Sequence, residues 1–336
     1  MVENQIRENI AARRWVIFAP GRKDRPNDWG ETSAKRADLP AHQADCPFCP
    51  GNEAMLPGII LEQPAPEEDR DKPWQTRVVP NKFPALVSAG DNTRTEAGLY
   101  VTMTGYGQHE VVIESPRHDH DIAQMSPVAV SILIETYHRR YVDLMRAHNN
   151  MMTIIFRNHG ERAGTSLIHP HSQIVVTGIV PRYVRWREAE AERYFDKWGR
   201  CVYCDILAFE LQQQKRIVIE NEAFVAFVPF AAEVPFELWI MPKEHQADFG
   251  SITDADKDDL AHILQKTMGR LSNKLTDPDY NYVINSAARY KAGQPQLHWY
   301  LQIQPRLTTQ AGFEIGSGMR INPSLPEEDA AFLKAD

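Results

Sequence analysis

Four cysteines set as two Cys-x-x-Cys pairs, Cys46/Cys49 in CPFCPG and Cys201/Cys204 in CVYCDI, constrain this chain more than any other feature. A two-residue spacer lets both sulfurs approach one tetrahedral ion, which then needs two further ligands from distant sequence. The competing reading is a thioredoxin-like redox pair, which requires the motif to open a helix. Pro47, Pro50 and Gly51 point to a turn at the first pair, so histidines elsewhere are the expected partners.

The segments that follow each pair repeat in order, and a repeat outranks any local signal. After the first come RVVPNKFPAL from Arg77, HEVVIESPRH ending on His118, a helix, and HPHSQIVV from His169. After the second come AFVPFAAEVP from Ala226, FELWIMPKEH ending on His245, a helix, and HWYLQIQP from His298. In both copies a helix is expected eight residues beyond the strand-ending histidine, at Ser126 and Thr253. Ser126 is an N-cap followed by Pro127, with Val130, Leu133, Tyr137, Tyr141 and Leu144 at helical spacing; Leu260, Ile263, Leu264, Thr267 and Leu271 follow Thr253 likewise. The charged, helix-favouring run from Arg182 to Arg193 reads as a solvated connector. Two domains are therefore expected, residues 1–197 and 198–336.

The run after Pro170 is β-branched and reads as a strand, so side chains alternate and place His169, His171 and Gln173 on one face. Two histidines so placed could both bind one metal. The second copy carries His298, Tyr300 and Gln302 on the matching face, so the first histidine is common to both copies and the second is not. That assigns His169 and His298 to the metal sites and leaves His171 for chemistry. A neutral imidazole is a good nucleophile toward phosphorus, and the phosphoramidate it forms can pass its group onward. Gly160, Gly164, Thr165 and Ser166 precede the strand as candidate phosphate-binding donors, and Gln173 could hold a non-bridging oxygen.

Composition excludes several classes. The chain has 336 residues with 37 Lys plus Arg against 45 Asp plus Glu, a formal charge of −8 that argues against a nucleic-acid partner. Its 43% hydrophobic and 24% charged content is globular. The most apolar stretch, Phe224 to Met241, is broken by Pro229, Glu233, Pro235 and Glu237, so no membrane span is expected. The N-terminal segment lacks the apolar core of a signal peptide, which makes a cytoplasmic location and reduced thiols the expectation.

GRKDRPNDW, CPFCPGNE, VVPNKFPAL, HEVVIESPRH, RNHGERAGTSLIHPHSQ, CVYC with PFELWIMPKEH, and the terminal AGFEIGSG together resemble the galactose-1-phosphate uridylyltransferase family, a branch of the histidine-triad superfamily. HPHSQ after NHG-x-x-AG-x-S is the most specific of these. The resemblance implies an α+β fold of two tandem histidine-triad-like domains, each an antiparallel sheet with packed helices, commonly as a homodimer. It implies ping-pong transfer of a uridylyl group from UDP-glucose to a hexose 1-phosphate such as galactose 1-phosphate, through a nucleotidyl-histidine. His171 matches the nucleophile and Gln173 the phosphate-holding amide. Cys46, Cys49, His118 and His169 match the zinc ligands. Arg22, Arg25, Asn81, Phe83, Phe156, Asn158, Gly164 and Ser166 resemble the nucleotide-binding positions, and Phe313 and Glu314 part of the sugar-phosphate segment. The resemblance also implies a second zinc on Cys201, Cys204, His245 and His298, as in the branch with a second CxxC, making two per chain. Thr308 and Arg320 depart from the family's lysine and glutamine, and relatives with AGFE followed by G-x-G are nucleotide-sugar phosphorylases that discharge a histidyl-AMP with phosphate. Their active strand tends to read His-Ser-His; His-Pro-His here favours uridylyl transfer. A non-catalytic nucleotide-binding zinc protein is a third reading.

Overall fold

The computed structural model describes residues 3–24, 39–69 and 71–335. β1 (Gln5–Asn9) and β2 (Arg14–Phe18) form a hairpin ahead of the first cysteine pair. The first copy then supplies β3 (Leu61–Gln63), β4 (Thr76–Pro80), a small hairpin of β5 (Arg94–Ala97) and β6 (Tyr100–Met103), β7 (Gly107–Ile113), α1 (Pro127–Met145), β8 (Met152–His159) and β9 (His171–Thr177). Helices α2 (Arg182–Trp198) and α3 (Val202–Gln213) follow. The second copy supplies β10 (Ile217–Glu220), β11 (Phe224–Phe227), β12 (Leu238–Pro242), α4 (Asp254–Leu275), β13 (Tyr280–Asn285) and β14 (Tyr300–Pro305). The chain closes with α5 (Gly312–Ser317), β15 (Arg320–Asn322), which lies parallel to β2, and α6 (Pro326–Lys334).

Local chemistry sets the helix starts. Ser126 Oγ accepts from the Ala129 N–H at 3.2 Å with Pro127 next, and Thr253 and Asp256 cap α4 reciprocally. Every residue of the two expected apolar stripes is buried.

The copies share one sheet. Its order is β10-β11-β12-β14-β13-β8-β9-β7-β4-β3, five strands from each copy, joined where β8 and β13 pair antiparallel from Ile155/Ile284 to His159/Tyr280. Outward from that seam the two halves run in matching order, which gives the sheet a pseudo-twofold. Alternation then separates two faces. Val112, Ile155, Ile174, Leu238, Ile284 and Leu301 bury themselves under α1 and α4. The opposite face holds Val111 and Ile113 against Cys46, Cys49 and Phe48 in the first half, and Phe227, Trp239 and Tyr300 against α3 in the second.

The connector α2 is not a purely solvated face. Arg187 and Glu188 are buried, with Arg187 Nη1 donating to Asn285 Oδ1 at 2.5 Å and Glu188 Oε1 accepting from the Ala288 N–H. A charge run cannot reveal that its helix covers polar groups of a distant sheet. Among the described residues no helix is long and apolar enough to cross a membrane.

Candidate active site

Cys46, Cys49, His118 and His169 converge, all buried, with one donor atom from each within 4.8 Å of the others. The sulfur to Nδ1 distances are 3.6 Å and the two Nδ1 atoms lie 3.3 Å apart. A tetrahedral zinc site, with bonds of about 2.3 Å to sulfur and about 2.0–2.1 Å to nitrogen, has edges of about 3.6 and 3.3 Å. His169 Nε2–H donates to the Ser115 carbonyl at 2.8 Å, so its Nδ1 lone pair faces the cluster, as a ligand must. Burial, with the neighbouring Cys49 adding to it, pushes the Cys46 thiol up to about 11, and a bound cation is the ordinary way for such a sulfur to lose its proton.

The next residue but one on the chain is His171. Its Nδ1 lies 2.8 Å from the His169 carbonyl, which can only accept, so Nδ1 carries the proton and Nε2 holds the lone pair. Phe48 packs edge-on against the ring at 5.4 Å between centroids. Gln173 shares this face, opposite Val111 on β7 and Phe156 on β8. Its Oε1 lies 2.7 Å from Nε2 of His109. Because the Ala85 N–H donates to His109 Nδ1 at 3.1 Å, Nε2 is the protonated nitrogen and donates to Gln173. Asn81 Nδ2 also lies 3.1 Å from that nitrogen, donor beside donor, its own oxygen accepting from the Phe83 N–H at 2.8 Å, so the shorter 2.7 Å contact to Gln173 Oε1 takes the Nε2–H.

Behind the strand the sheet is held by a buried polar network. Ser172, between His171 and Gln173, points to the helix face and meets Tyr137 Oη at 2.7 Å. Tyr137 reaches Tyr282 Oη at 2.5 Å and donates to Glu114, which pairs with Arg157 at 2.9 Å. Arg157 also bridges to Asp121, and Asp121 faces His159 Nδ1 at 2.9 Å while Asp277 faces its Nε2 at 3.1 Å. Burial is the largest influence on His159 and pulls its pKa down, yet the two carboxylates outweigh it and the net shift is upward. Asp121, His159 and Asp277 also lie close enough to hold an ion, but Arg157 already supplies the cation there.

The loop before the strand turns at Gly160 (φ 84°) and Gly164 (φ 86°). At Gly160 a Cβ would fall 2.0 Å from the Asp279 carboxylate, so only glycine fits. Ser166 and Gly164 are exposed here. Asn158 sits at the seam, where its Oδ1 accepts from Asn281 Nδ2 at 2.7 Å. Phe83 is exposed. Arg22 lies at the end of the small β1–β2–β15 layer, and Arg25 falls outside the described residues. Glu314 lies on α5, where its carboxylate accepts from the Ala311 and Ile321 N–H groups; neighbouring Phe313 is half exposed. Glu314 also borders a polar cavity of about 530 Å³ with Arg162, Arg306 and Arg320, the first of which comes from the glycine loop.

Residues 1–181 match the N-terminal domain of galactose-1-phosphate uridyl transferase and residues 187–319 its C-terminal domain. The chain belongs to the galactose-1-phosphate uridyl transferase family. Members with characterised names differ in activity. The chain is 35% identical to an ADP-glucose phosphorylase of Arabidopsis thaliana, covering 99% of this chain and 94% of that one. It is 26% identical to the galactose-1-phosphate uridylyltransferase of Thermotoga maritima, with 98% of each covered. The crystal structure of the Arabidopsis ADP-glucose phosphorylase with bound ADP-glucose superposes with a TM-score of 0.83 at 32% identity, covering 99% of each chain.

Within this uridyl transferase family chain the second half repeats the cluster without a counterpart of His171. Cys201, Cys204, His245 and His298 gather within the same 4.8 Å limit, with Cys204 Sγ 3.3 Å from His245 Nδ1 and 3.5 Å from His298 Nδ1. His298 Nε2 faces the Pro242 carbonyl at 3.1 Å, as His169 faces Ser115. Where His171 would stand is Tyr300, buried and stacked on Trp239 at 4.4 Å under α2 and α3. Sequence reasoning overlooked His109, Asn281 and Arg306. His109 opens the HEVVIESPRH motif, but nothing marks it until the pairing of β7 with β9 places it next to Gln173.

Proposed function

We propose that the chain transfers a nucleoside monophosphate from a nucleotide sugar to a phosphate-bearing acceptor through a covalent intermediate on His171. The observation that carries this is the 2.8 Å contact of His171 Nδ1 with the His169 carbonyl, which fixes the tautomer and places the lone pair on Nε2. Nε2 attacks the phosphorus bonded to the nucleoside. The N–P bond forms as the P–O bond to the hexose 1-phosphate breaks, and that phosphate leaves with the electron pair. The adduct ring is then cationic, with its Nδ1–H still held by the carbonyl dipole. An acceptor oxygen next attacks the same phosphorus, the N–P bond breaks, and neutral His171 returns.

Zinc on Cys46, Cys49, His118 and His169 would serve as an anchor. His169 is both ligand and owner of the orienting carbonyl, so fixing its ring fixes the nucleophile. The second cluster would take a second zinc. Of the two donor and acceptor pairs, ADP-glucose with phosphate draws support from the 35% identical phosphorylase and from Thr308 and Arg320, which depart from the uridylyltransferase pattern. UDP-glucose with galactose 1-phosphate draws support from His-Pro-His and from the 26% identical relative.

Intact-mass spectrometry after brief incubation with each nucleotide sugar decides between them. An adenylyl adduct on His171 that phosphate discharges supports the phosphorylase; a uridylyl adduct discharged by galactose 1-phosphate supports the transferase. His171→Ala is expected to lower turnover by at least about 1,000-fold and to abolish the adduct. An adduct that persists in this variant would sink the nucleophile assignment.

A further inference from the structure

The two halves carry the same pair of amides, and the two glutamines are oriented in opposite senses. Strand register equates Gln173 with Gln302, Asn158 with Asn285, and His109 with Glu237. In the second half, Gln302 Nε2 donates to Glu237 Oε1 at 2.8 Å, and Gln302 Oε1 accepts from Asn285 Nδ2 at 3.2 Å. Asn285 Oδ1 in turn accepts from Arg187 on α2. Each amide there has both its oxygen and its nitrogen engaged within the protein.

In the first half only the oxygens are engaged. Gln173 Oε1 accepts from His109 Nε2–H at 2.7 Å. Asn158 Oδ1 accepts from Asn281 Nδ2 at 2.7 Å, and Asn281 Oδ1 accepts from Arg306 Nε. Gln173 Nε2 and Asn158 Nδ2 have no protein partner among the described residues, and both side chains are half-buried on neighbouring strands beside His171. An amide is ambiguous, because rotation by half a turn exchanges donor and acceptor. A donor clamped on its oxygen removes that ambiguity and leaves an NH2 group facing outward.

We propose that His109, and Asn281 backed by Arg306, are positioning residues that set the polarity of Gln173 and Asn158. Two NH2 groups thereby form a donor-only edge for the phosphate oxygens of a nucleotide held against His171. The inference rests on the nucleotidyl-transfer reading above. It explains why one half of a duplicated sheet binds an anion while the other, with Glu237 in place of His109, turns its glutamine's NH2 inward. It also assigns the second half a part in the first half's site, since Asn281 and Arg306 reach Asn158 across the seam.

The test compares His109→Glu, which recreates the second-half arrangement, with His109→Gln, whose amide NH2 can still donate to Gln173. Asn281→Asp makes the same reversal at Asn158 with no change of shape. Nucleotidyl-adduct formation and equilibrium binding of ADP and UDP are measured for each, beside melting temperature and metal content. His109→Glu is expected to slow adduct formation by about 100-fold. It should weaken binding by about tenfold, Asn281→Asp by a similar factor, while His109→Gln stays within about threefold of wild type. If His109→Glu matches wild type, or His109→Gln is as impaired as His109→Glu, the proposal is overturned. Should His109→Glu fail to fold, Asn281→Asp against wild type carries the same decision. Wild type that binds ADP or UDP, loses binding in these variants, yet forms no adduct would sink the covalent reading and support the positioning role. Wild type that neither binds nor reacts would overturn both.

Discussion

The two halves of the ten-stranded sheet keep the same scaffold and differ in what fills one position on it. Each has a Cys-Cys-His-His cluster, a strand running on from the cluster's last histidine, and a long helix on the opposite face. In the first half that strand presents His171, whose tautomer is set two residues away by the carbonyl of the cluster's His169. In the second, Tyr300 closes the position by stacking on Trp239, and α2 and α3 cover it. The cluster and strand are therefore a support that can exist without chemistry. On the proposed reading, activity requires a particular ring on the strand and donors kept pointing outward beside it.

The largest contrast should come from the clusters. If the first cluster holds zinc as proposed, Cys49→Ser removes a ligand that helps align His169 and through it His171, so turnover per folded molecule is expected to fall at least about 100-fold. Cys204→Ser should lower the melting temperature while turnover of the folded fraction stays within about threefold, since its cluster adjoins Tyr300 and not the nucleophile. Equal losses of turnover in the two variants would break the distinction between an aligning and a merely structural cluster.

A second contrast concerns the two buried acids behind these sites. Glu114 has no exposed surface and is paired with the equally buried Arg157, so Glu114→Gln leaves that cation with Asp121 as its one carboxylate among the described residues and should cost about 3 kcal/mol in denaturant unfolding. Among the described residues Glu237 has no cationic partner: it accepts from Gln302, Trp239 and the Glu233 N–H. Burial, then the Glu233 charge, pushes its pKa up to about 7. An acid raised on folding contributes less stability as pH rises from its unfolded pKa of about 4.3 through the folded value. Glu237→Gln should therefore cost under about 1 kcal/mol at pH 8 and flatten the stability profile between roughly pH 5 and 7. A cost as large as that of Glu114→Gln would refute the contrast.

The smallest effect is the pH dependence carried by His159. Its pKa is raised in the fold by Asp121 and Asp277 against the opposing effect of burial, so its contribution is complete below its unfolded pKa of about 6.5 and is lost as pH rises through the folded value. Wild type should lose a few degrees of melting temperature on going from pH 6 upward through that range, and His159→Gln should not. Identical profiles for the two proteins would remove the buried imidazolium from the account.

Much of this was legible in the chain itself wherever the signal is local. The N-caps at Ser126 and Thr253 and the β-branched strand beginning at His171 each depend on neighbours within a few residues, and all are found as read. The solvated reading of Arg182 to Arg193 was half wrong, because Arg187 and Glu188 answer to Asn285 and Ala288, about a hundred residues away. Glu314 in the AGFE segment is found holding the start of α5, a backbone role that no motif reveals.

The sequence by itself determined the duplication, the strand that carries His171 and the helices behind it, because spacing and periodicity encode those directly, and with the family resemblance it named both Cys-Cys-His-His quartets that converge in the fold. Only the tertiary structure decided that the two copies share a single sheet, that Tyr300 is sealed, and that Gln173 and Asn158 point their nitrogens outward. The reason is physical. An amide has no intrinsic direction, and the groups that orient these two, His109 and Asn281, arrive beside them only when strands far apart in the chain pair in a fixed register.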